Sequence, residues 1–376
     1  MRHHSIPQFL LFIGFVYIVL SPFYVVESGL PQPADFLMMF GILAASSMML
    51  VRNKLMFSKL SLSLMGFVGL VCAVNLYHFA FTPDKRFLLS SLAYIYNAGV
   101  FAFFMVLFRT APEQTKRMLR YGLVISLVFQ AIYLIFAGDS GSRNIGTFNN
   151  PNQLGYWALL IAASLYVLKE QTFKLNDYIW LGLCGFIGAL SLSKAFLLVF
   201  PIILAVYIFS TRTKNIWRYL FVFFAGLVVV YSVVSPNNIL QHYTTEAFSP
   251  VVNRLDTLGV ERDDSLEGRG YLRIPANPEY LILGAGERAF DRFAPDYKYM
   301  ELHAALPTIL FSYGIIGLGY FIVFIASVLW RAPVSYWILM ASIFSHGLVH
   351  QNIRFTGFWV FLAILYAMKK KYIRTS

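Results

Sequence analysis

Runs of about twenty apolar residues recur along this chain, separated by short polar connections and by one long polar interruption. As a helix, about twenty residues cross the ~30 Å hydrocarbon layer of a bilayer. The runs lie near 8–26, 34–51, 60–81, 87–108, 119–137, 153–168, 177–192, 194–210, 216–234, 306–330, 333–349 and 355–368, with the seventh and eighth nearly fused. None shows the strict apolar–polar alternation of a barrel strand. The pattern predicts an all-α polytopic integral membrane protein with about 12 transmembrane helices and one large loop between helices 9 and 10. It divides the chain into 1–234 with helices 1–9, a loop at 235–305 carrying short interfacial helices, and 306–376 with helices 10–12 and a basic tail.

Composition agrees with the pattern. Of 376 residues, 58% are hydrophobic and only 13% charged, against about 25% charged in soluble domains. The net charge of +12 invites a nucleic-acid partner, but its distribution argues against one. With the N-terminus inside, the inner connections hold 18 of the 30 Lys and Arg residues and three acids (Glu113, Glu170, Asp177). The outer side keeps 12 basic and 15 acidic residues. That asymmetry is the positive-inside signature, so both termini are expected in the cytoplasm and the 235–305 loop outside. Residues 8–26 lack a small-x-small cleavage site and run into Pro22 and Glu27, which reads as a retained first span. Cys72 and Cys184 fall inside predicted spans, so no disulfide framework is expected.

The long loop concentrates the candidate chemistry. Arg254, Arg262, Arg269, Arg273, Arg288 and Arg292 precede an apolar run opened by Glu301-Leu302-His303. Arg269 and Arg273, four apart, would share a face on a helix. Asn277-Pro278 breaks any helix, and Gly284-Ala285-Gly286 reads as a turn. A second outer loop, 138–152, carries Arg143 and ends in Asn149-Asn150-Pro151-Asn152. There Asn150 or Asn152 would cap the sixth span with Pro151 in its first turn. Lys194 occupies the tight turn Ser191-Leu192-Ser193-Lys194, and His346, His350 and Arg354 bracket the last outer turn. Walker, HExxH and GxSxG motifs are absent, so no cofactor and no metal are expected; Asp263-Asp264 is the nearest thing to a metal pair.

Each position also has a plainer reading. Lys194 could snorkel to the interface, Arg269 and Arg273 could pair with the loop's own acids, and His346 and His350 could be helix-packing polar groups. Ionisable groups beside hydrocarbon are nonetheless costly and usually functional or paired. Arg and Lys match phosphate oxygens, and a neutral His takes a proton near ambient pH. A diphosphate joined to a polyprenyl tail would lie at this depth and is a good leaving group, its developing charge stabilised by cations. Those residue types point to glycosyl transfer from a lipid diphosphate.

The run Gly146-Thr147-Phe148-Asn149-Asn150-Pro151-Asn152-Gln153-Leu154-Gly155 resembles a segment of the bacterial O-antigen polymerase and O-antigen ligase superfamily. Gly268-Arg269-Gly270-Tyr271, Asn277-Pro278 and Leu283-Gly284-Ala285-Gly286 are similar to that superfamily's outer-loop pattern. Glu301-Leu302-His303, leading to Leu310-Phe311-Ser312-Tyr313-Gly314-Ile315-Ile316-Gly317, resembles its third element. The resemblance implies a metal-independent, inverting glycosyltransferase of the bacterial inner membrane, its active site facing the periplasm. Its donor would be an undecaprenyl-diphosphate-linked oligosaccharide, and a chain-length regulator and a flippase its partner proteins. Carried over, His303 is the base or acceptor-orienting residue and Arg269 binds the diphosphate; the candidate site adds Arg273, Lys194 and Arg143 as further diphosphate ligands and Glu301 and Asn152 as supporting residues. Lys194 stands where the family has Arg, which keeps the charge and loses the bidentate fork. The choice between Arg269 and Arg273 as the main diphosphate ligand stays open.

Three functions fit these features. A polymerase would move the glycan onto a lipid-linked repeat unit, building O-antigen, exopolysaccharide or capsule; a ligase would move it to lipid A core or a protein hydroxyl. A lipid-linked oligosaccharide transporter would instead show repeated halves and polar groups near the midplane. Here Asn97 and Gln130 are the mid-span polar residues that stand out, while the charges gather at the outer edge.

Overall fold

The computed structural model describes residues 8–51, 59–137, 143–170, 173–210, 266–293 and 302–375. Among these residues the chain is helical and contains no β-strand. The long helices are α1 (Gln8–Leu20), α2 (Pro33–Val51), α3 (Lys59–Phe81), α4 (Lys85–Thr110), α5 (Pro112–Ala137), α6 (Pro151–Val167), α7 (Leu175–Leu190), α8 (Lys194–Phe209), α9 (Ala305–Leu329), α10 (Val334–His346) and α11 (Thr356–Thr375). One helical turn, Arg273–Ala276, and two 3-10 turns, Pro278–Leu281 and Phe290–Phe293, are the short helical pieces of the described part of the long loop. The apolar run 216–234 and the loop segment 235–265, with Asp263-Asp264, lie outside the described residues, as does Glu301.

Among the described residues five helices are long and apolar enough to cross a membrane: Pro33–Leu50, Leu60–Phe81, Lys85–Thr110, Pro112–Ala137 and Ala305–Leu329. Several others are shorter than the apolar runs that announce them. α1 stops at Leu20 rather than near 26, because Pro22 has no N–H and disfavours helical backbone in the residue before it. α10 has 13 residues and ends at His346. At 1.5 Å per residue that is about 20 Å of helix, short of the ~30 Å hydrocarbon layer.

The chain divides into two compact units. One comprises Met1–Met38, Leu107–Leu258 and Val334–Ile343; the other comprises Met39–Val106, Gly259–Pro333 and Phe344–Ser376. In the first, α1 packs along α5, and α6 packs against α5, α7 and α8. Leu154–Val167 of α6 are buried without a break, as expected of a helix that is apolar on every side and enclosed by others. Arg120 on α5 donates to Asp177 near the start of α7 at 2.7 Å. The second carboxylate oxygen of Asp177 accepts Lys174 N–H at 2.8 Å. Cys184 on α7 is a free thiol.

In the second unit α9 packs against α3 and α11. Phe67 of α3 meets Tyr94 and Tyr313 edge-on, and Trp359 of α11 stacks on Phe324 of α9 with centroids 5.9 Å apart. Cys72 on α3 is also a free thiol. The feature that organises this unit is a break in α9 at Gly314, whose φ of 67° and ψ of −176° interrupt the helix. The carbonyls just before the break are satisfied by the long loop. Ala285 N–H donates to Phe311 O and Gly286 N–H to Ser312 O, each at 2.9 Å. Gly284-Ala285-Gly286, expected as a plain turn, is thus a strip of backbone laid against the interrupted helix. Irregular backbone at membrane depth requires such cover from protein.

Two glycines make this contact possible. Gly284 has φ of 90°, and a Cβ there would collide with Ser312 O; a Cβ at Gly314 would collide with Ile282 O. Gly284→Ala and Gly314→Ala should each lose about 1–2 kcal/mol to the left-handed conformation alone, plus the clash of backbone on backbone. Gly319, in the same helix, has nothing within 4 Å of its virtual Cβ, and Gly319→Ala should be neutral or stabilising by up to about 1 kcal/mol. Thermal unfolding midpoints and monodisperse yield in detergent check the contrast: equal behaviour of the three variants would refute it.

Candidate functional site

Most backbone polar groups from Gly284 N–H to Glu287 N–H find a partner. Gly284 N–H donates to Tyr280 O at 2.8 Å, before the two bonds to α9. Glu287 N–H then donates to Asn75 Oδ1 on α3 at 3.0 Å. Gly284 O lies 2.9 Å from His78 Nε2, so this nitrogen carries the proton. Arg292 donates to Ala285 O and to Ala289 O at 3.1 Å. Its guanidinium also lies over Phe87 and Phe293, 4.8 Å and 5.1 Å from the ring centroids, in cation–π geometry. Below the strip, Tyr280, Phe293 and Phe311 pack edge-on around Ala285 and Leu302.

The strip delivers an acid into the protein. Glu287 is fully buried, a costly state for a carboxylate unless it is paired and hydrogen-bonded. Tyr313 OH, one residue before the break, donates to its Oε2 at 2.6 Å. Gln351 donates to Oε1 at 3.1 Å, and Arg354 Nε stands 3.4 Å from the same oxygen. Asn75 links back by donating to Tyr313 OH at 3.3 Å and to Ser91 Oγ at 3.1 Å. Asn97, a polar residue expected at mid-span, donates to Arg354 O at 3.0 Å. One network therefore joins α3, α4, the loop, α9 and the 347–355 turn.

Two candidate residues come together at the start of α9. His303 N–H donates to Arg269 O at 3.2 Å, and the His303 side chain is exposed. Arg269 is half-buried and donates to Val349 O, while Tyr271 OH donates to Leu348 O. Burial pushes the Tyr271 phenol above its ordinary pKa, with Arg269 pulling the other way, so it remains a donor. Ala305 N–H reaches Gly347 O at 2.6 Å. The 346–350 turn, with His346 buried and its ring 6.0 Å from that of His350, is thus tied to both ends of the candidate pair.

Arg269 and Arg273 do not share a helix face as expected, because the helical turn begins only at Arg273. Gly270, with φ of 75°, turns the chain between them. Arg273 is fully buried, its guanidinium 5.5 Å from the Phe293 ring centroid. Arg269 is the more accessible of the two.

The remaining candidates belong to the other unit. Asn150, not Asn152, caps α6: its Oδ1 accepts Asn152 N–H at 2.8 Å, with Pro151 at the first helical position. Asn152 Oδ1 accepts from Arg143 at 2.9 Å, and Asn144 N–H donates to Leu190 O at 3.2 Å. Gly155 lets this end of α6 approach the α7–α8 turn, since a Cβ there would sit 3.0 Å from Ser191 Oγ and 3.1 Å from Ser193 Cβ. Ser193 caps α8, and Lys194, its first residue, is 8% exposed rather than snorkelled. Gln130, the other mid-span polar residue, bonds the Thr147 hydroxyl and accepts its N–H at 3.3 Å. Thr147 also donates to Pro22 O at 2.6 Å.

Sequence reasoning missed Glu287, Asn75, Gln351 and His78, and gave Arg292 and Tyr313, which it named, no role of their own. The available signal was Glu287 directly after Gly284-Ala285-Gly286, an acid next to a segment already singled out, and Asn75 inside an apolar run. Among the described residues no group of three or more His, Cys, Asp or Glu could hold a metal ion.

Removing the Glu287 carboxylate takes away the acid facing Arg354, so Glu287→Ala should destabilise by about 3–5 kcal/mol. Tyr313→Phe, which deletes one buried hydroxyl from the network, should cost about 1–3 kcal/mol. Unfolding midpoints of the two variants in detergent check the order; a Glu287→Ala protein as stable as the parent would refute the network's role. No protein-family model matches this chain, and no curated protein matches it.

Proposed function

We propose that this chain is a membrane-embedded, inverting glycosyltransferase that polymerises a polysaccharide of the O-antigen, exopolysaccharide or capsule type. Its donor is a glycan on undecaprenyl diphosphate and its acceptor a lipid-linked repeat unit. In this reading the chain spans the bacterial inner membrane about twelve times, both termini are cytoplasmic, and the 235–305 loop works at the periplasmic face. The observation that supports it most is the backbone bond from His303 to Arg269, which joins the main chains of an exposed histidine and a half-buried arginine. An acid–base group next to a phosphate-binding cation is what transfer from a lipid diphosphate requires.

The acceptor hydroxyl oxygen attacks the anomeric carbon of the donor from the face opposite the diphosphate. The carbon–oxygen bond to the diphosphate breaks, the configuration inverts, and undecaprenyl diphosphate leaves with its charge held by Arg269. His303 takes the hydroxyl proton. At Lys194, the first residue of α8, the family whose motifs these segments resemble has Arg. A buried lysine at the positive end of a helix opposes the helix dipole, a cost that an anion would relieve.

Purified protein incubated with its lipid-linked repeat unit and no nucleotide should yield a glycan ladder on gels. His303→Ala should lower chain growth by about 10²–10⁴-fold with unchanged membrane insertion. Arg269→Ala should also abolish it, and Arg269→Lys should restore part, because charge returns without the fork. Normal ladders from His303→Ala would end the assignment. Transfer to lipid A core without a ladder would make the chain a ligase with the same donor chemistry.

A further inference from the structure

The polar beginning of α5 carries a second group of cations, which the proposed reaction does not use. Glu113, Lys116, Arg117 and Arg120 fall at i, i+3, i+4 and i+7, on one side of the helix. Together with Leu168 and Glu170, where the chain leaves α6, they line a cavity of about 240 Å³. Two acids line the cavity: Glu113, which is exposed, and Glu170, which is in an ion pair with Lys174 at 2.6 Å; both oxygens of the nearby Asp177 are taken by Arg120 and Lys174 N–H. Lys116 Nζ donates to Lys169 O at 3.0 Å, bracing it against the α6 side.

Arg120 supplies the observation that separates a binding site from a merely charged end. Its Nη2 serves Asp177, but its Nη1 is buried and makes no hydrogen bond. A buried guanidinium N–H without an acceptor is costly, and positive-inside topology alone requires no such enclosure. Arg120 lines the cavity, so an anion held there lies beside its guanidinium. The cavity falls below the roughly 300–1,000 Å³ typical of drug-sized ligands, which suits a phosphate headgroup better than a nucleotide. It also lies where the polar start of α5 gives way to the apolar run, at headgroup level for a spanning helix. Lys and Arg clusters beside such a helix attract anionic lipids.

We propose that this cavity binds the phosphate group of an anionic phospholipid. Native mass spectrometry of the full-length protein in detergent would compare phosphatidylglycerol with phosphatidylcholine of identical chains. Wild type should retain phosphatidylglycerol preferentially, and each of Lys116→Gln and Arg117→Gln should lower that preference about fivefold. Arg117 is exposed and forms part of no packed interior, so its variant tests binding even if Arg120→Gln, which breaks the pair with Asp177, fails to fold. Equal retention of the two lipids, or an unchanged preference in the Lys116 and Arg117 variants, would overturn the proposal. Displacement of phosphatidylglycerol by millimolar inorganic phosphate would overturn the lipid assignment and make the cavity a soluble-phosphate site.

Discussion

The unit that carries His303 depends on one backbone contact: Ala285 and Gly286 donating to the carbonyls of Phe311 and Ser312 beside the break in α9. A helix interrupted in an apolar setting exposes carbonyls that lipid cannot satisfy. The loop supplies the missing donors, and the broken helix gives the loop a fixed course. Neither segment has an obvious reason for its shape without the other. The neighbouring groups complete the accounting: Tyr280 O, Asn75 Oδ1, His78 Nε2 and Arg292 each take one polar group of the strip.

From that contact the rest of the unit follows in order. The strip ends in Glu287, which can be buried only because Tyr313, Gln351 and Arg354 meet it from the broken helix and the following turn. Arg354 is held in turn by Asn97 through its carbonyl. The 346–350 turn, ordered by Ala305, Tyr271 and Arg269, carries two histidines beside the proposed catalytic pair. Charge that looked like a collection of candidate ligands is therefore divided. Arg292 and Arg354 hold the loop, Arg273 lies against Phe293, and the half-buried Arg269 lies at the start of α9 with the exposed His303. The other unit repeats the device on a smaller scale, with Gln130 inside α5 meeting Thr147 and so fixing the loop that leads to Asn150 and Asn152.

The apolar runs by themselves determined the helical class and the approximate position of each described helix. Hydrocarbon-length runs without alternation leave a backbone no other way to satisfy its own polar groups. Asn150-Pro151 likewise announced the start of α6, because capping chemistry is local. The ends of the short helices were less legible: Pro22 ends α1 inside an apolar run, so hydropathy overshoots the backbone. The separation of Arg269 from Arg273 was also hidden, since four-residue spacing means a shared face only where a helix is continuous, and here it begins at Arg273. The role of Gly284, Gly286 and Gly314, and the burial of Glu287, were decided by tertiary structure alone. Those positions answer to partners far away in sequence, and a backbone carbonyl in need of a donor has no signature in the residue that carries it.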